Sequence, residues 1–215
     1  MKHTLLKLTA ALTAVLTLFS GCGSTSASTT SAASADTAAA SAGSTQTAED
    51  AGGAFHTLDE IKESGKIIIG VFSDKAPFGY VDENGAYQGY DVYFAGRIGK
   101  DLGVNVEYVS LDPASRVEFV QTGKVDVVLA NFTVTEERAQ QVDFALPYMK
   151  VSLGVVSPDG NVITDVSRLD GKTLIVCKGT TAETYFSENY PNVTLQKYDQ
   201  YADAYNALLD GRGDA

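Results

Sequence analysis

Lys66-Ile67-Ile68-Ile69-Gly70-Val71 is a continuous apolar run opening on a lysine, and its reading decides the fold. A half-buried strand alternates apolar and polar residues, whereas a run apolar at every position fits a strand covered on both faces, as in parallel sheets. The segments that follow keep the alternation such a sheet requires. Phe78–Val81 and Ala86–Gly89 flank Asp82-Glu83-Asn84-Gly85, whose Asn-Gly pair signals a hairpin. Asp91 is placed to cap a helix running to Asp101 and stopped by Gly103. A strand over 104–111, a helix over 115–121, a strand over 125–130, a helix over 135–141 and a long strand over Met149–Ser157 complete a first series. A second series runs strand 173–177, helix 181–188, strand 193–198 and helix 202–209. Repeated strand–helix alternation predicts α/β layers with parallel strands.

The chain outside this pattern has a different composition. Lys2 and Lys7 precede an uncharged run of 12 residues, Leu8–Phe19. That is short of the ~18–20 needed to span a bilayer and reads as the core of a signal peptide over 1–21. Leu18-Phe19-Ser20-Gly21-Cys22 resembles a bacterial lipobox, which makes Cys22 the expected lipidation site, with Phe19 a departure from the usual aliphatic residue. Of the 32 residues from 23 to 54, 28 are Ala, Ser, Thr or Gly. Such a stretch cannot bury enough apolar surface to order itself, so 22–55 is expected to be a lipid-anchored tether reaching roughly 30 Å.

Composition excludes several functions. Sixteen Lys plus Arg against 27 Asp plus Glu give a net charge of −11, which argues against nucleic acid as partner. Two histidines, His3 and His56, leave little room for a metal site, and two cysteines cannot build a disulfide framework. Cys177, inside an apolar run, reads as a core thiol. Arg212-Gly213-Asp214 spells an adhesive tripeptide but fits a helix-to-strand turn.

Taken in order, Val71–Gln88 (VFSDKAPFGYVDENGAYQ), Gly89-Tyr90-Asp91-Val92, Val125-Asp126, Asn131–Arg138 (NFTVTEER), Val142-Asp143-Phe144, Pro147-Tyr148, Lys178–Glu183 (KGTTAE) and Gly211–Ala215 (GRGDA) resemble one known family. These are the solute-binding proteins of polar amino-acid ABC importers (bacterial solute-binding protein family 3). The resemblance covers essentially all of 56–215, and ANFTVTEERAQQVDFALPYMKV and KGTTAETYF are most similar to cysteine-binding members. It implies the two-lobed type II periplasmic-binding-protein fold, with lobe 1 over 56–148, a first hinge crossover over 149–157 and an incomplete lobe 2 over 158–215. The sequence stops where a further strand should begin. It is therefore expected to be a fragment, with the return crossover and the family's ammonium-accepting Asp falling past Ala215.

The resemblance also implies a site. Arg138 occupies the α-carboxylate position, and a planar bidentate guanidinium suits a carboxylate better than lysine does. Asn131, Phe132 and Thr133 form the turn at the C-terminal end of a buried strand, where open α/β sheets bind ligands. Gly179, Thr180 and Thr181 make a glycine turn at a helix N-terminus, a ready anion site. Phe72 stands where acidic-amino-acid binders carry a second arginine, which favours a small neutral ligand over Asp or Glu. Arg116 is either a wall of the site or scaffold, Phe78 either core or wall, and Gln200 and Tyr201 lie on a turn expected to face the cleft.

The expected function is capture of a free amino acid, cysteine first, and its delivery to an ABC permease from the outer face of a bacterial membrane, with no cofactor and no catalysis. The alternatives are a cyclohexadienyl dehydratase-like enzyme on the same fold, which needs a positioned acid that no residue here marks, and an amino-acid sensor or adhesin lipoprotein.

Overall fold

The computed structural model describes residues 55–215. The signal peptide over 1–21, Cys22 and all but the last residue of the 22–55 tether lie outside the described residues.

The elements run α1 (Leu58–Ser64), β1 (Lys66–Val71), β2 (Asp74–Lys75), β3 (Gly79–Val81), β4 (Tyr87–Gln88), α2 (Tyr90–Leu102), β5 (Asn105–Ser110), α3 (Arg116–Gln121), β6 (Val127–Val128) and α4 (Glu136–Ala139). After an irregular stretch come β7 (Thr173–Cys177), α5 (Thr181–Asn189), β8 (Thr194–Tyr198) and α6 (Tyr201–Leu209). The isoleucine-rich run is the central strand of a parallel sheet ordered β5-β1-β6, in register from Lys66 opposite Asn105 to Val71 opposite Ser110. Ile67, Ile69 and Val71 are buried against Ile61 of α1, Val92 and Ala95 of α2 and Leu129. The Asn84-Gly85 turn joins β3 and β4, which pair antiparallel with each other, and β3 pairs with β2 on its other side.

β7 and β8 form a second parallel pair, from Thr173 opposite Thr194 to Cys177 opposite Tyr198. Its separate core gathers Leu169, Leu174, Val176, Phe186 and Val193. On the other edge of β7, Asp214 N–H donates to Thr173 O and Ile175 N–H to Ala215 O, each at 2.8 Å. Two α/β layers with independent cores thus stand in one chain. Among the described residues no helix is long and apolar enough to cross a membrane.

Three local expectations are corrected. Asp91 is not the cap of α2: Gly89 is, at φ 117° and ψ 178°, and Asp91 is fully buried in the first turn. A side chain at 89 would stand 2.4 Å from the Phe78 carbonyl oxygen, so this corner closes only around glycine. The strand expected over 125–130 is regular only at Val127–Val128, although Asp126 N–H to Ile68 O and Leu129 N–H to Gly70 O, both 2.9 Å, extend the pairing with β1. Met149–Ser157 forms no strand. A strand exists by its ladder, and among the described residues none pairs with this segment; Val151, Leu153 and Val156 are accordingly exposed.

Candidate functional site

The two layers meet where β1 and β6 end and α5 begins. Asn131 is the hub. Its backbone is in the left-handed region, at φ 47°, a conformation that costs a non-glycine residue unless its surroundings hold it. Here four contacts do so. Asn131 N–H donates to Asp91 Oδ2 (3.1 Å), its carbonyl accepts from Arg116 Nη1 (3.3 Å), its Oδ1 accepts from Lys75 Nζ (2.8 Å), and its Nδ2 lies 3.3 Å from Met149 Sδ.

Arg116, left open between wall and scaffold by sequence, is 3% exposed. Its guanidinium donates to the carbonyls of Pro113 (2.9 Å), Ala130 (3.1 Å), Asn131 and Gly179 (2.9 Å). Arg138 reaches the same glycine: Nη2 donates to Gly179 O (2.9 Å) and Nη1 to Thr133 O (2.8 Å). The ring of Phe132 lies against both guanidinia, 4.4 Å from Arg116 and 4.7 Å from Arg138, so its π-system favours both cations. Thr135 caps α4 by accepting from Arg138 N–H, which fixes where the Arg138 side chain departs. Burial lowers the pKa of Arg138 from the usual arginine range, and burial together with Arg138 pulls Arg116 down to about 10.

The glycine turn is arranged differently from a simple anion cradle. Gly179, at φ 69°, has its backbone so close to Ala114 that a Cβ would stand 2.5 Å from the Ala114 Cα. Its N–H donates to Glu183 Oε2 (2.7 Å) and its carbonyl takes both arginines. The Thr180 hydroxyl is committed too, donating to Cys177 O (2.6 Å) and accepting from Glu183 N–H (3.2 Å). Thr181 opens α5, and among the described residues its N–H has no acceptor.

The remaining expected residues fall as follows. Phe72, expected at the ligand, is fully buried with Leu111 and Ala130 and edge-on to Tyr201 at 5.5 Å. Phe78 is half-buried beside Lys75. Gln200 is the N-cap residue of α6 and makes no side-chain cap bond. Tyr201 packs over Lys75, and burial pushes its hydroxyl up to about 12.

Sequence reasoning missed Lys75, Asp91 and Tyr148. Tyr148 Oη donates to Asp91 Oδ1 at 2.8 Å, and with the Asn131 amide it gives the buried carboxylate two donors. Desolvation outweighs both and raises Asp91 to about 6. The only sequence signal was the acid inside Gly89-Tyr90-Asp91-Val92, which cap preference explained too easily. Above the ordinary aspartate value near 4 the unfolded chain has lost its proton, while the folded protein keeps it up to about 6. Stability from this group is therefore full below about 4 and lost as pH rises through 6. In Asp91→Asn the melting temperature, measured by calorimetry, is expected to lose ground to the parent progressively as pH falls from 7 to 4.5. A difference that stays constant over that range would contradict the assignment.

Among the described residues no ion pair involves Lys75, Arg116 or Arg138, and no group of three or more His, Cys, Asp or Glu could hold a metal ion. A separate cavity of about 430 Å³, lined mostly by apolar side chains including Val127, Leu129, Phe144 and Pro147, shares Asn131–Thr133 but reaches none of these cations.

Two α/β layers closing on a cation-lined turn define the class: this is the type II periplasmic-binding-protein fold. The chain belongs to the bacterial extracellular solute-binding proteins, family 3, whose model matches residues 67–211. It is 31% identical over 164 residues to the ABC transporter glutamine-binding protein of Bacillus subtilis, an alignment covering 74% of this chain and 60% of that relative's length. Among solved structures it is similar to the solute receptor for L-cysteine of Neisseria gonorrhoeae, with 56% identity, TM-score 0.72, and 74% of this chain and 66% of that one covered. It is also similar to the cysteine-binding protein of Campylobacter jejuni, with 55% identity, TM-score 0.71, and 73% and 64% covered.

Proposed function

We propose that this protein captures a free amino acid between its two lobes and delivers it to an ABC import permease, held at the outer face of a bacterial membrane by a lipid on Cys22 and the tether that follows. The observation that carries the binding reading is the convergence of three desolvated cations, Lys75, Arg116 and Arg138, whose hydrogen-bond partners are carbonyls and one amide oxygen. Desolvated cations held in no ion pair among the described residues cost free energy that an incoming carboxylate returns. Arg138 is the residue assigned to the ligand's α-carboxylate, because it is half-exposed and its fork lies beside the first turn of α5, where the Thr181 amide adds a donor. Asn131, Phe132 and Thr133 shape one side, Gly179 and Thr180 the other, and Arg116 holds the two together. Gln200 stands at the rim.

Cysteine is the favoured ligand. The apolar Phe72 offers no second guanidinium for a dicarboxylate, and the two cysteine-binding structures share more than half of the aligned residues. The test is a thermal-shift screen of the full-length protein against the twenty amino acids, cystine and prephenate. A ligand present at 100 times its Kd stabilises by about 2.7 kcal/mol, and the largest shift is expected with cysteine under reducing conditions. A glutamate or aspartate shift larger than that of cysteine would overturn the ligand assignment. Turnover of prephenate would overturn the binding role.

A further inference from the structure

Lys75 stands at the end of β2 under conditions unusual for a lysine. Its ammonium lies 4.1 Å from the Tyr201 ring centre, 5.3 Å from Phe72 and 5.4 Å from Phe78, and it donates to Asn131 Oδ1. Asp74 and Asp91 are close enough to favour its charge but form no ion pair with it. Asp74 Oδ2 accepts from Ala202 N–H at 3.0 Å while its buried Oδ1 has no partner among the described residues, and Asp91 holds Tyr148 and Asn131. Arg116 adds repulsion, and burial with that repulsion pulls Lys75 down to about 8. Aromatic faces can shelter a cation from the sides, but they accept little from its N–H donors. One donor is spent on Asn131, and two remain.

We propose that Lys75 is the specificity-determining residue of the amino-acid site, donating to an acceptor atom on the ligand's side chain, a thiol sulfur before any other. This rests on the binding reading above and deepens it. Asn131 links the two ends of the site: its carbonyl is tied to Arg116, which shares Gly179 O with Arg138, and its side chain is tied to Lys75. In this proposal an amino acid whose carboxylate is on Arg138 turns its short side chain toward the ammonium. The three aromatic rings around the ammonium add S···aromatic contacts that a carboxylate does not make. An ordinary thiol titrates near 8.5, so a lysine charged at neutral pH stabilises the thiolate, whereas alanine offers it nothing.

The test is calorimetric titration of the full-length protein and of Lys75→Met and Lys75→Arg with cysteine, serine, alanine and aspartate. Methionine keeps the length and the apolar stem and removes the donors. Cysteine affinity is expected to fall about tenfold to a hundredfold in Lys75→Met, in line with loss of a hydrogen bond from a charged donor. Alanine affinity should change less than threefold, and Lys75→Arg should retain a preference for cysteine over alanine. Equal losses for cysteine and alanine would make Lys75 only a support for Asn131 and overturn the proposal, as would an unchanged cysteine affinity. A parent protein that prefers alanine or a larger apolar amino acid would overturn the role of Lys75 while leaving amino-acid binding intact. A parent that binds no amino acid would overturn both.

Discussion

In Arg138→Ala, amino-acid binding is expected to weaken by about 2–5 kcal/mol, the range for removing one partner of a desolvated charged pair. The guanidinium is already oriented by Thr133 O and Gly179 O and by the Phe132 face. Little ordering remains to be done when a carboxylate arrives, and loss of the preset fork removes both its hydrogen bonds and its charge. Arg138 contributes to neither apolar core, so the ligand-free melting temperature should move little while affinity collapses. Arg138→Lys should restore the charge and none of the bidentate geometry. Titration calorimetry showing less than a threefold loss in Arg138→Ala would move the carboxylate to another group.

Arg116→Ala is expected to act on stability first. The substitution strips hydrogen bonds from four carbonyls. Two belong to the buried residues Pro113 and Ala130, and one, Gly179 O, is on the facing lobe. Buried carbonyls left without donors cost about 1–3 kcal/mol each, so the two at Pro113 and Ala130 give about 2–6 kcal/mol of destabilisation. Arg116→Lys should recover little, because one ammonium cannot replace a fork spread over these acceptors. Denaturant unfolding gives the result directly. A loss below 1 kcal/mol in Arg116→Ala would mean that water or neighbouring donors take over the carbonyls, and that Arg116 is a wall of the site rather than its staple.

The contrast between Arg138 and Lys75 shows how far sequence reaches into the site. Arg138 sits in Asn131–Arg138, a contiguous turn and helix start whose order of residues carries a family resemblance, so it could be assigned before any geometry was known. Lys75 is flanked by Asp74 and Ala76 and looks like a surface lysine. Its cage is assembled from Phe72, Phe78 and, more than a hundred residues away, Tyr201. Asp91 was misread for a related reason. An acid ahead of an apolar helix is a good cap by local preference, yet the cap geometry went to Gly89, and burial drew Asp91 under the Asn131 turn. Local rules rank what a residue can do with its neighbours in sequence, whereas these two residues are defined by neighbours in space.

The strands divide in the same way. Lys66–Val71 and Thr173–Cys177 were legible with both ends correct, because a run buried on both faces must be apolar throughout. Met149–Ser157 has comparable apolar content and forms no strand, because pairing is supplied by a partner and not by composition. The sequence by itself therefore determined the α/β class, the central strands and the hairpin, all of which rest on periodicity or on contiguous motifs, and its family resemblance singled out Arg138 for the proposed carboxylate contact. Only the tertiary structure decided that Arg116 ties four carbonyls, that Asp91 and Lys75 grip Asn131, and that Phe72 is fully buried edge-on to Tyr201. Burial and the spacing of charges are properties of a packed neighbourhood, and no single stretch of chain contains one.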